Sequence, residues 1–296
     1  MSAPATLRLP SVEQAAARRD KFLAALHCTD SATQLDCLRQ ASAQQLLDAA
    51  HPSWDLIKVS LQWTPTVDGA VLPDQWLTLF KEGRFNKVPA MIGHTKEEGR
   101  LFVAIAENAQ GRPMSTEQVD EAIHKTFGPA ANPILTTYPA GAFAGPGDRF
   151  AQIVVDGLFA AGEERDRLAL AEHVPVFAYQ SCDPRAPESH VQAKFSRMGC
   201  AHDSDLTYLF QWDDFTGEPP NFTDEQKALA IQIGRYWGNF AATGNPNGAN
   251  LLDWPAYRAN SAPVQLLEPA SSGGVRTSPT EAYQAEHKLR FWESLK

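Results

Sequence analysis

Two short apolar runs, KVPAMIGH (Lys87 to His94) and HVPVFAYQ (His173 to Gln180), constrain the fold more than any other feature of the chain. Each is a compact apolar segment bounded by turn or polar residues, the pattern of a strand buried on both faces of a sheet. Helical patterns lie between and after them. STEQVDEAIHKTF opens with a cap at Ser115, and GDRFAQIVVDGLFAAGEERDRLALAEH reads as one helix. NFTDEQKALAIQIGRYWGNFAATGNPNG has capping-box spacing at Thr223 and Gln226 and puts Leu229, Ile233, Tyr236, Trp237 and Phe240 on one face, with Gly244 and Pro246 as its stop. Strands interleaved with helices predict an α/β layer architecture.

Toward the amino end, Ser11 to Leu47 read as two helices with a polar turn around CTDSATQLDC. LQWTPTVDGAVLPDQ is an irregular stretch dense in turn residues. A short apolar VQLLE segment and a terminal amphipathic helix, AYQAEHKLRFWESL, close the chain.

With 296 residues and 43% hydrophobic content the chain can bury a sizeable core. A net charge of -9 excludes an electrostatic surface for nucleic acid or anionic membrane. The longest apolar runs, such as Leu101 to Ala106, fall far below the roughly 20 residues that span a bilayer, so no membrane span is expected. Neither a metal-ligand constellation nor a glycine-rich phosphate cradle after a strand is present, and no cofactor is expected. Cys28, Cys37, Cys182 and Cys200 lack CxxC spacing; they read as buried thiols or as two loop-closing disulfides.

In α/β sheets the functional loops leave the carboxyl ends of the strands. MIGHTKEEGRLF follows the first run and carries Glu97 and Glu98; GCAHDSDLTYLF follows the second and carries His202. An acid followed about a hundred residues later by a histidine is the chain order of α/β-hydrolases.

Here the residues carry a specific resemblance. MIGHTKEEGRLF is similar to the acid motif of the type-B carboxylesterases, the family of cholinesterases and para-nitrobenzyl esterases, in which a glutamate directly before glycine is the triad acid. GCAHDSDLTYLF is similar to the family's histidine motif, a histidine followed by Gly, a variable residue, an acid and an aromatic-rich run. CLRQASAQQLLDA, TPTVDGAVLPDQ, IGRYWGNFAATGNPNG, LLDWPAY and AEHKLRFW match family segments in order, so the resemblance covers almost the whole chain.

The resemblance implies an α/β-hydrolase fold, with residues 1–296 as the C-terminal portion of one carboxylesterase domain. It implies Glu98 as triad acid, with Glu97 as the alternative, and His202 as general base. It also implies a disulfide between Cys28 and Cys37, hence a secreted or periplasmic compartment, and a small carboxylic ester as substrate. A bridge between Cys182 and Cys200 would pin the histidine loop. His94 and His287 read as structural residues, and Ser181 and Ser204 lack the strand-turn-helix setting of a nucleophile. Trp212 and Phe215 are candidates for a pocket wall, whereas the Tyr236, Trp237 and Phe240 trio reads as core.

No GxSxG and no HGGG-like run occurs in the 296 residues. The expectation is therefore a serine esterase whose nucleophile and oxyanion donors lie upstream of this sequence. The alternatives are an inactive fragment and a non-catalytic binding relative. An interrupted sheet predicts an unpaired strand edge, and with it self-association or pairing with a complementing N-terminal half.

Overall fold

The structure is a computed structural model and describes residues 8–50, 64–188, 191–212, 217–258 and 261–295. The chain divides into two compact units, Leu7–Leu79 and Phe80–Lys296.

The first unit is helical. Helix α1 (Val12–Ala25) opens on a reciprocal cap, in which the Ser11 hydroxyl accepts from the Gln14 backbone N–H and the Gln14 side-chain amide oxygen accepts from the Ser11 N–H. The segment expected to hold two helices holds three: α1, α2 (Gln34–Gln40) and α3 (Ala43–Ala50). The break at Ala41 arises because Ser42 and Gln45 exchange the same pair of hydrogen bonds and so begin a new helix. Cys28 and Cys37 form a disulfide across the turn between α1 and α2. Helix α4 (Trp76–Lys81) follows; Leu61 to Trp63 of the irregular stretch lie outside the described residues.

The larger unit is built on a four-stranded sheet of order β1-β2-β3-β4. Strands β1 (Ala90–Thr95), β2 (Val176–Ser181) and β3 (Val264–Leu267) run parallel, and β4 (Arg276–Ser278) runs antiparallel to β3. Both apolar runs thus become strands, and VQLL supplies a third. Among the described residues β1 has a hydrogen-bonded neighbour on one side only.

Helices α5 (Gly99–Gln110), α6 (Thr116–Phe127), α7 (Ala131–Thr137), α8 (Pro146–Val154) and α9 (Ala161–Ala171) connect β1 to β2. Between α8 and α9 the helix continues through a π-helical segment, Val155–Ala160. Helices α10 (Ser204–Phe210) and α11 (Asp224–Thr243) link β2 to β3, and α12 (Thr280–Glu286) and α13 (Leu289–Ser294) end the chain. The terminal segment expected as one helix is two. His287 is drawn into the core, where Asp156 accepts from its Nδ1 at 2.7 Å and the Gln180 amide donates to its Nε2 at 2.8 Å, and Lys288 takes a φ of +49° to accommodate the turn.

The alternation of strand residues sorts the two faces of the sheet. Met91, Phe177 and Tyr179 pack with Leu229, Ile233 and Tyr236 of α11 and with Trp254, while Trp237 and Phe240 sit half-buried against the same cluster. This is the core role expected for the α11 aromatics. The opposite face carries His94 and Gln180 and is polar although fully buried. His94 donates from Nδ1 to the Thr95 carbonyl at 2.8 Å and accepts from Tyr283 Oη at 2.7 Å. Asp156 also accepts from Tyr138 Oη at 2.7 Å, whose oxygen in turn accepts from Trp292 Nε1 at 2.8 Å. Such networks are tolerated when their groups are paired, and they specify one arrangement of the core.

At Gly93 the strands come too close for any side chain: a Cβ there would lie 2.2 Å from the Tyr179 carbonyl oxygen and 2.4 Å from its ring. We therefore expect Gly93→Ala to lower unfolding free energy by about 1–3 kcal/mol or more, read as a lower urea midpoint. An unchanged midpoint would show that β1 can shift away from β2 without loss.

Candidate functional site

Register brings the two loops together. Thr95 pairs with Ser181 at the carboxyl ends of β1 and β2, so the acid turn and the residue that begins the histidine segment leave the sheet side by side. The Lys96 N–H donates to the Ser181 carbonyl at 2.9 Å, and the Cys182 N–H to that of Leu267 at 3.0 Å. Cys182 is disulfide-bonded to Cys200, two residues before His202, so the far end of an eighteen-residue excursion is tied back to the end of β2. In the chain-entropy account, closing a loop of this length stabilises by roughly 3 kcal/mol.

The neighbouring glutamates point to different partners. Glu97 binds Arg197 at 2.6 Å and Arg100 at 2.8 Å, and its carboxylate accepts the Cys200 N–H at 3.1 Å while its own N–H donates to the Cys200 carbonyl at 3.1 Å. Burial would raise its pKa, but the two guanidinium groups and the amide lower it on balance. Gly199, at φ +57°, is needed for this clasp because a Cβ there would lie 2.2 Å from the Glu97 carboxylate. Glu97 fastens the histidine loop and has no capacity left for the imidazole.

Glu98 is almost fully buried. One of its oxygens accepts the Thr95 N–H at 2.7 Å, and the other is hydrogen-bonded to His202 Nδ1. The following residue is glycine for a packing reason: at Gly99, where α5 crosses α8, a Cβ would lie 2.4 Å from the Ala151 carbonyl oxygen.

The imidazole of His202 packs against a stacked pair of aromatic rings, Phe102 of α5 at 5.5 Å and Phe159 of the π-helical segment at 5.7 Å between centroids. π-helical insertions commonly mark functional sites, and this one turns Phe159 toward the histidine while Asp156 faces the buried network. Burial pushes His202 toward its neutral form. The hydrogen bond and charge of Glu98, with the carboxylates of Asp203 and Asp205, outweigh this and raise its pKa to about 9. Asp205, whose carboxylate accepts from Tyr179 Oη at 3.4 Å, is itself raised to about 6 by burial and by the charges of Glu98 and Asp203.

Of the other residues singled out in the sequence, Ser181 ends β2 and Ser204 begins α10, neither on a strand-turn-helix elbow. Trp212 is 53% exposed, and Phe215 lies outside the described residues. The sequence reading missed Phe102, Phe159 and the arginine pair on Glu97. The π-helical segment left no periodicity signal, and Arg197 lies 97 residues from Arg100.

The profile of the Carboxylesterase family matches residues 1–292. The chain belongs to this family. The chain is 27% identical over 310 residues to the liver carboxylesterase of Sus scrofa, an alignment covering 95% of this chain and 51% of that protein. It is 28% identical over 260 residues to carboxylesterase 5A of Canis lupus familiaris, covering 80% and 42% respectively. A PNB esterase structure superposes with a TM-score of 0.70 at 26% identity, over 94% of this chain and 54% of its own. The fold is accordingly that of the α/β-hydrolases, and the chain spans about half the length of the relatives it matches.

The charge pattern fixes the sign of a stability profile. His202 has a folded pKa of about 9 against about 6.5 unfolded, so its stabilisation is complete below pH 6.5 and lost as pH rises through 9. His94 is opposite: burial, then the charges of His287 and Arg167, hold its pKa well below 6.5, so its neutral state persists in the fold and stability is lost as pH falls below 6.5, where the unfolded chain takes up the proton. Urea unfolding from pH 6.5 to 9.5 is expected to lose about 2–3 kcal/mol more in the wild type than in His202→Gln. Parallel profiles would show that the Glu98 contact does not hold the charged imidazole.

Proposed function

We propose that this chain supplies the acid and the general base of a serine carboxylic ester hydrolase, with the nucleophile coming from sequence outside these 296 residues. The observation that carries this reading is the contact of buried Glu98 with His202 Nδ1, made at the carboxyl ends of adjacent parallel strands. Its setting in a carboxylesterase-family chain without a GxSxG sequence points to an external serine.

In this chemistry His202 Nε2 takes the proton from a seryl hydroxyl as the oxygen forms a bond to the ester carbonyl carbon. The imidazolium returns that proton to the alkoxy oxygen as the carbon–oxygen bond breaks, leaving an acyl-enzyme and a free alcohol. Water then repeats the sequence, giving a carboxylic acid and the free serine. Glu98 holds the ring through Nδ1 and balances the positive charge at each proton transfer. The substrate is a small carboxylic ester. Two disulfides fit an oxidising compartment, secreted or periplasmic.

The test uses the chain alone and the chain co-expressed with a GxSxG-bearing N-terminal half from a carboxylesterase relative, each given a para-nitrophenyl ester and a fluorophosphonate probe read by intact mass. The chain alone is expected to show neither turnover nor label. The assembled pair is expected to turn over, with kcat reduced about 10⁴-fold or more in His202→Ala. A labelled serine within this chain, or turnover indifferent to His202, would overturn the assignment; a stably assembled pair without turnover would favour a non-catalytic relative.

A further inference from the structure

Asp203, next to the histidine, has a placement that neither the helix nor the chain path explains. Its φ is +70°, a left-handed conformation that costs glycine nothing and strains most other residues. It occupies the N-cap position of α10, where an aspartate ordinarily accepts a backbone N–H from the first turn, yet its side chain makes no such bond. Instead Oδ1 lies 3.3 Å from His202 Nε2, the nitrogen that has to face a nucleophile.

The imidazole therefore has a carboxylate at each nitrogen, Glu98 at Nδ1 and Asp203 at Nε2. A neutral ring carries one N–H and can donate to one of them; only the imidazolium donates to both. The charged groups around the ring share one sign: Glu98 from the acid turn and Asp203 and Asp205 from the histidine loop and α10. Glu97 is turned to Arg100 and Arg197, and the flanking side chains of α5 and the π-helical segment are Phe102 and Phe159.

We propose that Asp203 is a positioning residue that latches His202 at Nε2, holding the ring as a resting cation between two carboxylates, and that it must swing off this nitrogen before the histidine can accept a proton from a nucleophile. The latch rests on the assignment of His202 as general base. Its side chain is 32% exposed, against 1% for Glu98, so Asp203 can rotate into water whereas Glu98 cannot. The two carboxylates thus differ in role: Glu98 is the fixed partner and Asp203 the releasable one. A working site gated in this way has its base form at alkaline pH, and loss of the Asp203 charge moves the onset of activity toward neutrality.

The decisive measurement needs no nucleophile. Long-range ¹H–¹⁵N NMR on the ¹⁵N-histidine-labelled chain follows Nδ1 and Nε2 of His202 through pH 5 to 11 in wild type, Asp203→Asn and Asp203→Gly. We expect the titration midpoint to fall by about one unit in both variants, because each removes the carboxylate charge that lies 3.3 Å from Nε2. Asp203→Gly removes the left-handed strain along with the charge, so it reports even where the asparagine variant folds poorly. A midpoint unchanged in the glycine variant overturns the latch. In the assembled enzyme the acid limb of kcat/KM should shift by the same amount. Turnover with no shift removes the latch and leaves the hydrolase assignment standing, whereas an NMR shift in a pair that does not turn over keeps the contact and removes the assignment.

Discussion

The carboxyl end of the sheet depends on how one buried negative charge is held. Glu98 lies in a region from which water is almost excluded, where an ionised carboxylate without partners is costly. Its two oxygens are met by the Thr95 amide and the His202 ring, so both partners must stay in place for the loops to remain closed. The rest of the local architecture secures those partners. The Thr95–Ser181 register aligns the strand ends, the Cys182–Cys200 bridge returns the histidine segment to β2, and Glu97 clasps Cys200 and Arg197. Adjacent glutamates thereby divide the work, one holding the loop and the other the ring.

Much of this was legible in the sequence, for reasons that differ between elements. β1 and β2 are buried on both faces and so read as unbroken apolar runs, and α11 carries its cap, stop and apolar face within one stretch. Glu98 and His202 were legible because their flanking residues have local packing duties, Gly99 at the crossing of α5 and α8 and Gly199 beneath the Glu97 carboxylate. What escaped are features set by distant contacts. The terminal segment has helical periodicity throughout, but the bonds of His287 to Asp156 and Gln180, 131 and 107 residues away, break it in two. The third helix of the first unit was missed for a local reason: the Ser42 and Gln45 cap sits within a pattern that is otherwise continuous.

The polar face behind β1 and β2 has a similar logic at greater depth. Asp156, in the π-helical segment, gathers His287 and Tyr138, while three residues on Phe159 turns outward to His202. Gly157 lies between them, where a Cβ would fall 2.5 Å from the Trp292 ring. The extra residue that makes the turn π rather than α therefore links two environments. Displacing the terminal helices would disturb Asp156 and, through the same turn, the ring that flanks the catalytic candidate.

Comparison of three histidines within the molecule separates a structural role from a chemical one. His94 and His287 are fully buried, and both nitrogens of each ring are engaged by protein groups, so each is a satisfied member of the core. His202 differs in kind. Its side chain is part-exposed, its Nδ1 is bonded to the buried Glu98, and the group beside its Nε2 is the Asp203 carboxylate, with a third of its surface in water. A ring needed only to neutralise Glu98 would gain nothing from an accessible second nitrogen; full burial, as at His287, would serve as well and exclude water from the pair. An imidazole fixed on one side and releasable on the other is the arrangement proton transfer requires, and it is this asymmetry, more than the acid–histidine contact alone, that supports reading the pair as chemistry.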